Sequence, residues 1–524
     1  LPPLNFVHAA GTQLELDGQP YSFLGLNFWQ AVWIVHADPD RLRAELDGLK
    51  AAGAQVLRIT ALSEGVEGAP LQAVPTLQPR PGVFDPRFEE ALDLVLFEMR
   101  KRSMRALLVL NNMWSWSGGF ATYLVWARGG TWRDIPYPSS HLSGYWDEFE
   151  KHWADTNNFG QRPINAAADW DTYQKWASQF YTTPRAIGLA EDAIRRLVSR
   201  VNSISGLAYA EDGTIFGWEL CNEPRAVSDD HFRSKQAYTQ WVQRTSSLLK
   251  TLAPKQLVAI GHEGTTPFED YVNADFVGVH QLPTIDVITA HVWPQNWGWG
   301  DATGRSPFNN AIEQALGYVE EHAKKARAIG KPLIIEEFGL ARDGNNHNPS
   351  TSKTLHREAF YSAMVRAADL LHVSGVMPGA WSGKGRPRNP GGYWMKGDDF
   401  LGDPPHEPQG WYSIFDTDVS TIQLLSQGRG RMHATPPTPP WPPLPPKPPP
   451  PPPLKECHSE MNGDTKVEAC EGWCSDPIGH FAFCKCRGCA ALKCAPSQAA
   501  QQPAAAGSSC HSGLADDSDH ARCE

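Results

Sequence analysis

An α/β chain folded as a (β/α)8 TIM barrel, with a small disulfide-rich C-terminal module, is the fold class this sequence predicts. Three observations carry that expectation. Short apolar runs alternate with amphipathic helical stretches in the order a parallel barrel requires. Composition breaks abruptly after about Gln427, where a proline tract follows. Of the 10 cysteines, nine crowd between Cys457 and Cys523. The organisation that follows is a barrel domain over 1–430, a proline-rich linker over 431–455 and a cysteine-rich accessory module over 456–524. A length of 524 residues has room for a barrel of about 250 residues with long loops and an appendage.

Eight strands are expected in order over 21–29, 55–60, 105–112, 214–222, 257–264, 287–293, 332–339 and 375–381. Most are short and apolar, as strands must be when helices cover one side and barrel interior the other. In the first helix Asp38 can cap, Pro39 suits the opening turn, Leu42, Leu46 and Leu49 recur at helical spacing, and Gly53 can close the end. Further helices are expected over 86–101, 184–203, 231–252, 309–329 and 351–370. The stretch 113–183 is long for a strand-to-helix connection and carries nine aromatic residues from Trp114 to Trp146. It is expected to shape a cleft on the barrel's C-terminal face, or to form a lid of its own.

A formal charge of −11 and a pI near 5.9 argue against nucleic acid or an anionic membrane as partner. No run of 18 apolar residues is present, so no membrane partner is expected either. The cysteine cluster points to disulfides in an oxidising compartment, and the start at Leu1 suits a removed signal peptide, so a secreted, extracellular monomer is the expectation. Disulfides are preferred to zinc in FCKCRGC (483–489) for the same reason. Residues 435–453 cannot make a helix or an internal strand and are expected to form polyproline II, a stiff tether of roughly 60 Å at about 3.1 Å per residue.

The chemistry-bearing residues cluster at strand ends. Asn222 and Glu223 close the fourth strand; Glu336 and Glu337 close the seventh. On a barrel, that rim is where catalysis is built. Cleavage of a glycosidic bond needs two carboxyl groups, one protonated to assist the leaving oxygen and one ionised to attack or to activate water. Glu223 and Glu337 suit those two roles, and no metal or organic cofactor is required.

The motifs WELCNEPR (218–225) and KPLIIEEFGLARDG (331–344) together resemble glycoside hydrolase family 5 over about residues 6–425. The resemblance implies that Glu223 is the acid/base and Glu337 the nucleophile, with Glu336 as supporting structure. It implies that Arg58 keeps the nucleophile ionised, that Asn222 binds the sugar 2-hydroxyl and that His291 is an active-site histidine. Trp293 stands where many members have a Tyr that touches the nucleophile. LNNMWSWSGG (110–119), GHEGTTPF (261–268), HVWPQNWGW (291–299) and GDPPHEPQGWYSIFDTD (402–418) are most similar to the endo-β-1,4-mannanases of that family.

The expected substrate is therefore a β-mannan polysaccharide, cleaved internally with retention of configuration, with Trp114, Trp116, Trp297 and Trp299 as candidate sugar platforms. A glucan- or glucomannan-cleaving relative and a weakly active or non-catalytic polysaccharide-binding protein are the alternatives. The latter is motivated by strand 8, where Pro378, Gly379, Ala380 and Trp381 replace the usual Phe-Trp-x-Trp, and by Lys384 in place of an expected Glu. Trp381 is the candidate to replace the missing floor under the reacting sugar. The cysteine-rich module is similar to appendages of algal secreted hydrolases, which implies a carbohydrate-binding or wall-anchoring role; a spacer without a ligand is the alternative.

Overall fold

The computed structural model describes residues 2–65, 69–138 and 168–432. The proline tract and the cysteine-rich module, and residues 139–167 of the long connection, lie outside the described residues. Residues Leu1–Pro436 form one compact unit.

Eight parallel strands and their helices follow one another: β1 Phe23–Asn27, α1 Pro39–Ala51, β2 Val56–Thr60, α2 Pro86–Lys101, β3 Arg105–Val109, α3 Pro184–Val198, β4 Ile215–Glu219, α4 His231–Leu252, β5 Leu257–Ala259, α5 Phe276–His280, β6 Ile288–Val292, α6 Arg305–Ile329, β7 Leu333–Phe338, α7 Leu355–Leu370, β8 Gly375–Pro378 and α8 Val419–Met432. Each lies within or across its expected span; α5, one turn and a half, and α8 were not foreseen. The strands pair in the order β5-β4-β3-β2-β1-β8-β7-β6. The ring is completed between β5 and β6 by Asp286 N–H donating to Val258 O at 2.9 Å, Val258 N–H to the Asp286 carboxylate at 2.7 Å and His291 N–H to Glu263 O at 2.7 Å.

Local chemistry sets the helix ends. The Asp38 carboxylate accepts from the amides of Asp40 and Arg41, and Asp85 and Asp230 cap α2 and α4 in the same way. Period-two alternation then sorts the strand side chains. In β2, Leu57 and Ile59 pack outward against the helices, while Val56 faces the barrel base and Arg58 and Thr60 face the mouth.

The base is plugged by Val56, Leu107, Phe216, Leu257, Val287, Ile334 and Met377. Beneath them lies a three-stranded antiparallel sheet, Val7–Ala10, Gln13–Leu16 and Gln19–Tyr21, with Val7 and Leu14 in that same core. Buried apolar residues at the base leave polar ones for the opposite rim. The long connection after β3 contains helices Gly119–Arg128 and Trp170–Ala177. Phe120, Phe180 and Tyr181 join Trp241 of α4 in one aromatic cluster, so the described part of this segment belongs to the barrel wall. Among the described residues, no helix is long and apolar enough to cross a membrane.

Candidate active site

A cleft of about 550 Å³ opens at the C-terminal ends of the strands, lined by Glu223, Glu337, Arg58, Asn222, Trp114, Trp116, Trp293 and Trp297 among others. Glu223 follows β4 with φ of +52°, a left-handed conformation that costs energy for a residue with a Cβ. It is held there by Asn222 N–H to Asn111 O at 2.9 Å and Glu223 N–H to Gly261 O at 3.0 Å. Gly261 is obligatory on the facing strand end, since a Cβ there would stand 2.0 Å from Cys221 O. Cys221 itself is a free, buried thiol.

The two carboxylates are fixed by donors from different strands. Trp114 Nε1–H donates to Glu223 Oε2 at 2.6 Å, and Trp293 Nε1–H to Glu337 Oε2 at 2.9 Å. Arg58 donates to Glu337 Oε1, to Asn222 Oδ1 at 2.8 Å and twice to Glu219, at 2.8 and 2.5 Å. Asn222 in turn gives one amide hydrogen to Asn112 Oδ1 at 3.1 Å, which sets the orientation of its side chain. His291 lies beneath, with Nδ1 2.7 Å from Glu223 Oε1 and Nε2 3.3 Å from Glu336 Oε2.

Burial alone would lower the His291 pKa, but Glu337, Glu223 and Glu336 hold it well above the usual histidine range. Glu219 is pushed up to about 8, chiefly by burial.

Glu223, His291 and Glu337 present ligand atoms within 4.8 Å of one another. Arg58 and the two indole N–H groups already engage their carboxylate oxygens, so the donor set fits positioned carboxylates rather than a cation site.

Most of the expected residues converge here, and two do not. Trp381 is buried away from the cleft: β8 ends at Pro378, and Trp381–Gly383 pairs with Ile414–Phe415 instead. The indole packs over Gly48 of α1 and donates to Glu45 at 2.9 Å, so it cannot serve as a sugar floor. Trp293 from the end of β6 fills the space above Gly379. Trp299 stands behind Trp297, ring centroids 4.8 Å apart, and does not line the cleft. Lys384 is exposed on the α1 side, beside Asp38, Asp40 and Asp399, and does not line the cleft.

Several site residues escaped the sequence reading. Glu219 sits inside a strand where an acidic residue has no bland explanation, and that was the available signal. Asn112, Trp29 and the pair Arg225–Glu263, joined at 2.6 Å, gave no comparable sign. Nor did His406, whose ring lies parallel to Trp116 at 6.5 Å and near Trp114 at 6.4 Å, so the loop after β8 meets the loop after β3 at the cleft.

Residues 4–434 match the glycoside hydrolase family 5 β-mannosidase-like family. The chain belongs to that family. It is 29% identical over 392 residues to mannan endo-1,4-β-mannosidase 1 of Solanum lycopersicum, covering 72% of this chain and 82% of the relative. It is 30% identical to that plant's mannan endo-1,4-β-mannosidase 3 over 396 residues, 72% of this chain and 81% of the relative. The family 5 mannosidase from Rhizomucor miehei superposes with a TM-score of 0.69 at 29% identity, covering 82% of this chain and 98% of its own. A mutant of that enzyme, 30% identical over 82% of this chain and 97% of its own with the same TM-score, holds mannosyl-fructose. As a family 5 member the chain is a glycoside hydrolase.

Proposed function

We propose that this protein hydrolyses β-1,4-mannosidic linkages of mannan-type polysaccharides with retention of configuration, using Glu337 as nucleophile and Glu223 as acid/base. The supporting observation is spacing: the nearest oxygens of the two carboxylates lie within 4.8 Å. That suits the roughly 5–5.5 Å of a double-displacement pair, whereas an inverting pair needs about 6.5–9.5 Å to admit a water between sugar and base. Glu337 attacks the anomeric carbon while Glu223 protonates the departing oxygen; Glu223 then takes a proton from the water that releases the sugar. One Asn222 amide hydrogen goes to Asn112, and we assign the other to the sugar 2-hydroxyl, the group that distinguishes mannose from glucose. The mannan-cleaving relatives support the substrate class, and mannosyl-fructose in the R. miehei enzyme supports a mannosyl group as the glycone.

Endo attack follows the plant relatives' names. The contact of His406 with Trp114 and Trp116 favours a second reading, in which the cleft is narrowed on that side and short chains or chain ends are preferred. Secretion and a polysaccharide-targeting role for 456–524 belong to the same proposal, resting on the cysteine cluster and the proline tether.

The deciding experiment is product release from β-1,4-mannan and from a soluble cellulose derivative, with Glu337→Ala as control. Manno-oligosaccharides or mannose from mannan alone, abolished in the variant, is the expected result. Products from the cellulose derivative alone would overturn the substrate, and silence on both with retained binding would overturn the catalytic reading.

A further inference from the structure

β7 carries two consecutive glutamates, and both face the barrel interior. In a regular strand one of them would point outward among the helices. The register shifts between Ile335 and Glu337 against β6, and between Ile335 and Phe338 against β8. This irregularity lets Phe338 pack outward while Glu337 enters the cleft and Glu336 lies fully buried in the interior below it.

Glu336 touches two cations. Its Oε2 is 3.3 Å from His291 Nε2, and its Oε1 is 3.7 Å from Arg58 Nε. The other His291 nitrogen, Nδ1, stands 2.7 Å from Glu223 Oε1 and 3.3 Å from Glu337 Oε2. The imidazole is thus wedged between one buried carboxylate behind it and two catalytic carboxylates in front. The other groups facing this pair are Arg58 from β2 and Glu219 from β4. Glu263 offers His291 its backbone carbonyl, its carboxylate being turned to Arg225. His262, near β5, is held down to about 4 chiefly by burial and is uncharged at neutral pH.

We propose that Glu336 is a positioning residue that keeps His291 an imidazolium, so that one cation between Glu223 and Glu337 serves whichever of them carries the negative charge. This rests on the double-displacement reading above. Before reaction Glu337 is the anion, Glu223 holds the proton, and the Nδ1–H faces Glu337. As Glu337 bonds to the anomeric carbon and Glu223 gives its proton to the leaving oxygen, Glu337 becomes a neutral ester and the charge appears on Glu223. The same Nδ1–H, 2.7 Å away, is then its partner. When water attacks, Glu223 removes its proton, the ester bond breaks and the charge returns to Glu337. His291 keeps its protons throughout.

A neutral ring would serve worse: with its proton on Nε2 it turns a bare Nδ1 lone pair on the catalytic carboxylates, and with its proton on Nδ1 it turns a bare Nε2 lone pair on Glu336. The electrostatics agree with the geometry: burial alone would raise Glu336, yet Arg58 and His291 hold it below the ordinary carboxylate range.

The test is Glu336→Gln in the full chain, which keeps an acceptor near His291 and removes the charge. Loss of that charge lowers the His291 pKa, so the ¹⁵N imidazole resonances of the ring in the variant report deprotonation about one pH unit or more below the parent. A ring that titrates at the same pH in the variant as in the parent would overturn the proposal, since a merely structural role predicts that. A second readout does not need activity or the variant: ¹⁵N imidazole resonances of the parent, assigned with His291→Asn, should show both ring nitrogens protonated at pH 8. A neutral ring at pH 7 overturns the proposal even if mannan is hydrolysed. If mannan is untouched while the ring stays charged, and loses that charge in Glu336→Gln, the functional reading fails and the role of Glu336 in holding the charge stands.

Discussion

The indole of Trp293 lies against Gly379: a Cβ at 379 would stand 2.6 Å from Trp293 Cη2. The Trp after β6 and the Gly after β8 are therefore one arrangement, in which the indole occupies the room the glycine leaves. The Trp293 N–H donates to Glu337, and its ring packs on Tyr412, centroids 4.6 Å apart. Trp293→Phe should cost about tenfold in kcat/KM, corresponding to about 1.5 kcal/mol for one hydrogen bond to a charged group. Gly379→Ala should cost more, because it displaces the ring itself. Steady-state kinetics on mannan with thermal melts as a folding control would check both, and an unaffected Gly379→Ala would show that the ring does not sit there.

One guanidinium, that of Arg58, is shared by Glu219, Glu337 and, at 3.7 Å, Glu336. Arg58→Met should abolish turnover and destabilise the barrel by about 3–5 kcal/mol, since it strands buried carboxylates without their partner. Arg58→Lys should recover stability only in part, because an ammonium cannot supply the guanidinium's separate donors to Glu219, Asn222 and Glu337. Denaturant unfolding of the three proteins measures this directly.

Glu64, outside the cleft, is buried and, among the described residues, accepts from Gly119 N–H at 2.9 Å and the Tyr123 hydroxyl at 2.8 Å, and burial pushes its pKa up to about 7. The folded state therefore binds this proton more tightly than the unfolded chain. The contribution is fully present below about pH 4.5 and is lost as pH rises to about 7, amounting to about 3 kcal/mol. Glu64→Gln should flatten the fall in melting temperature across that window. Parallel stability curves for parent and variant would contradict it.

His406 couples the loop after β8 to Trp114 and Trp116 on the loop after β3. His406→Gly should raise activity on long mannan relative to mannotriose, by about threefold or more, if that contact narrows the cleft. An unchanged ratio of polymer to oligosaccharide rates would leave internal attack as the mode.

Local signals made much of this molecule readable in advance. Eight apolar runs, aspartate and proline at helix starts, and glutamates at the ends of the fourth and seventh strands depend only on residues adjacent in sequence, and the barrel follows from their order. Trp381 was misplaced because its direction depends on where β8 stops and on a partner strand thirty-odd residues later. Glu336 could not be paired with His291, nor Arg58 with Glu219, because those contacts join strands that meet only when the ring closes.

What the sequence determined by itself was the inventory: a barrel, two carboxylates on its rim, an asparagine, an arginine and an excess of tryptophan around them. What only the tertiary structure decided was which of these touch. An irregular strand turned two successive glutamates to the same side, and a positive φ aimed Glu223 into the cleft. A glycine made room for an indole from a strand two places away. Each of those outcomes depends on the space and hydrogen bonds that distant segments leave for one another, and no run of neighbouring residues encodes that.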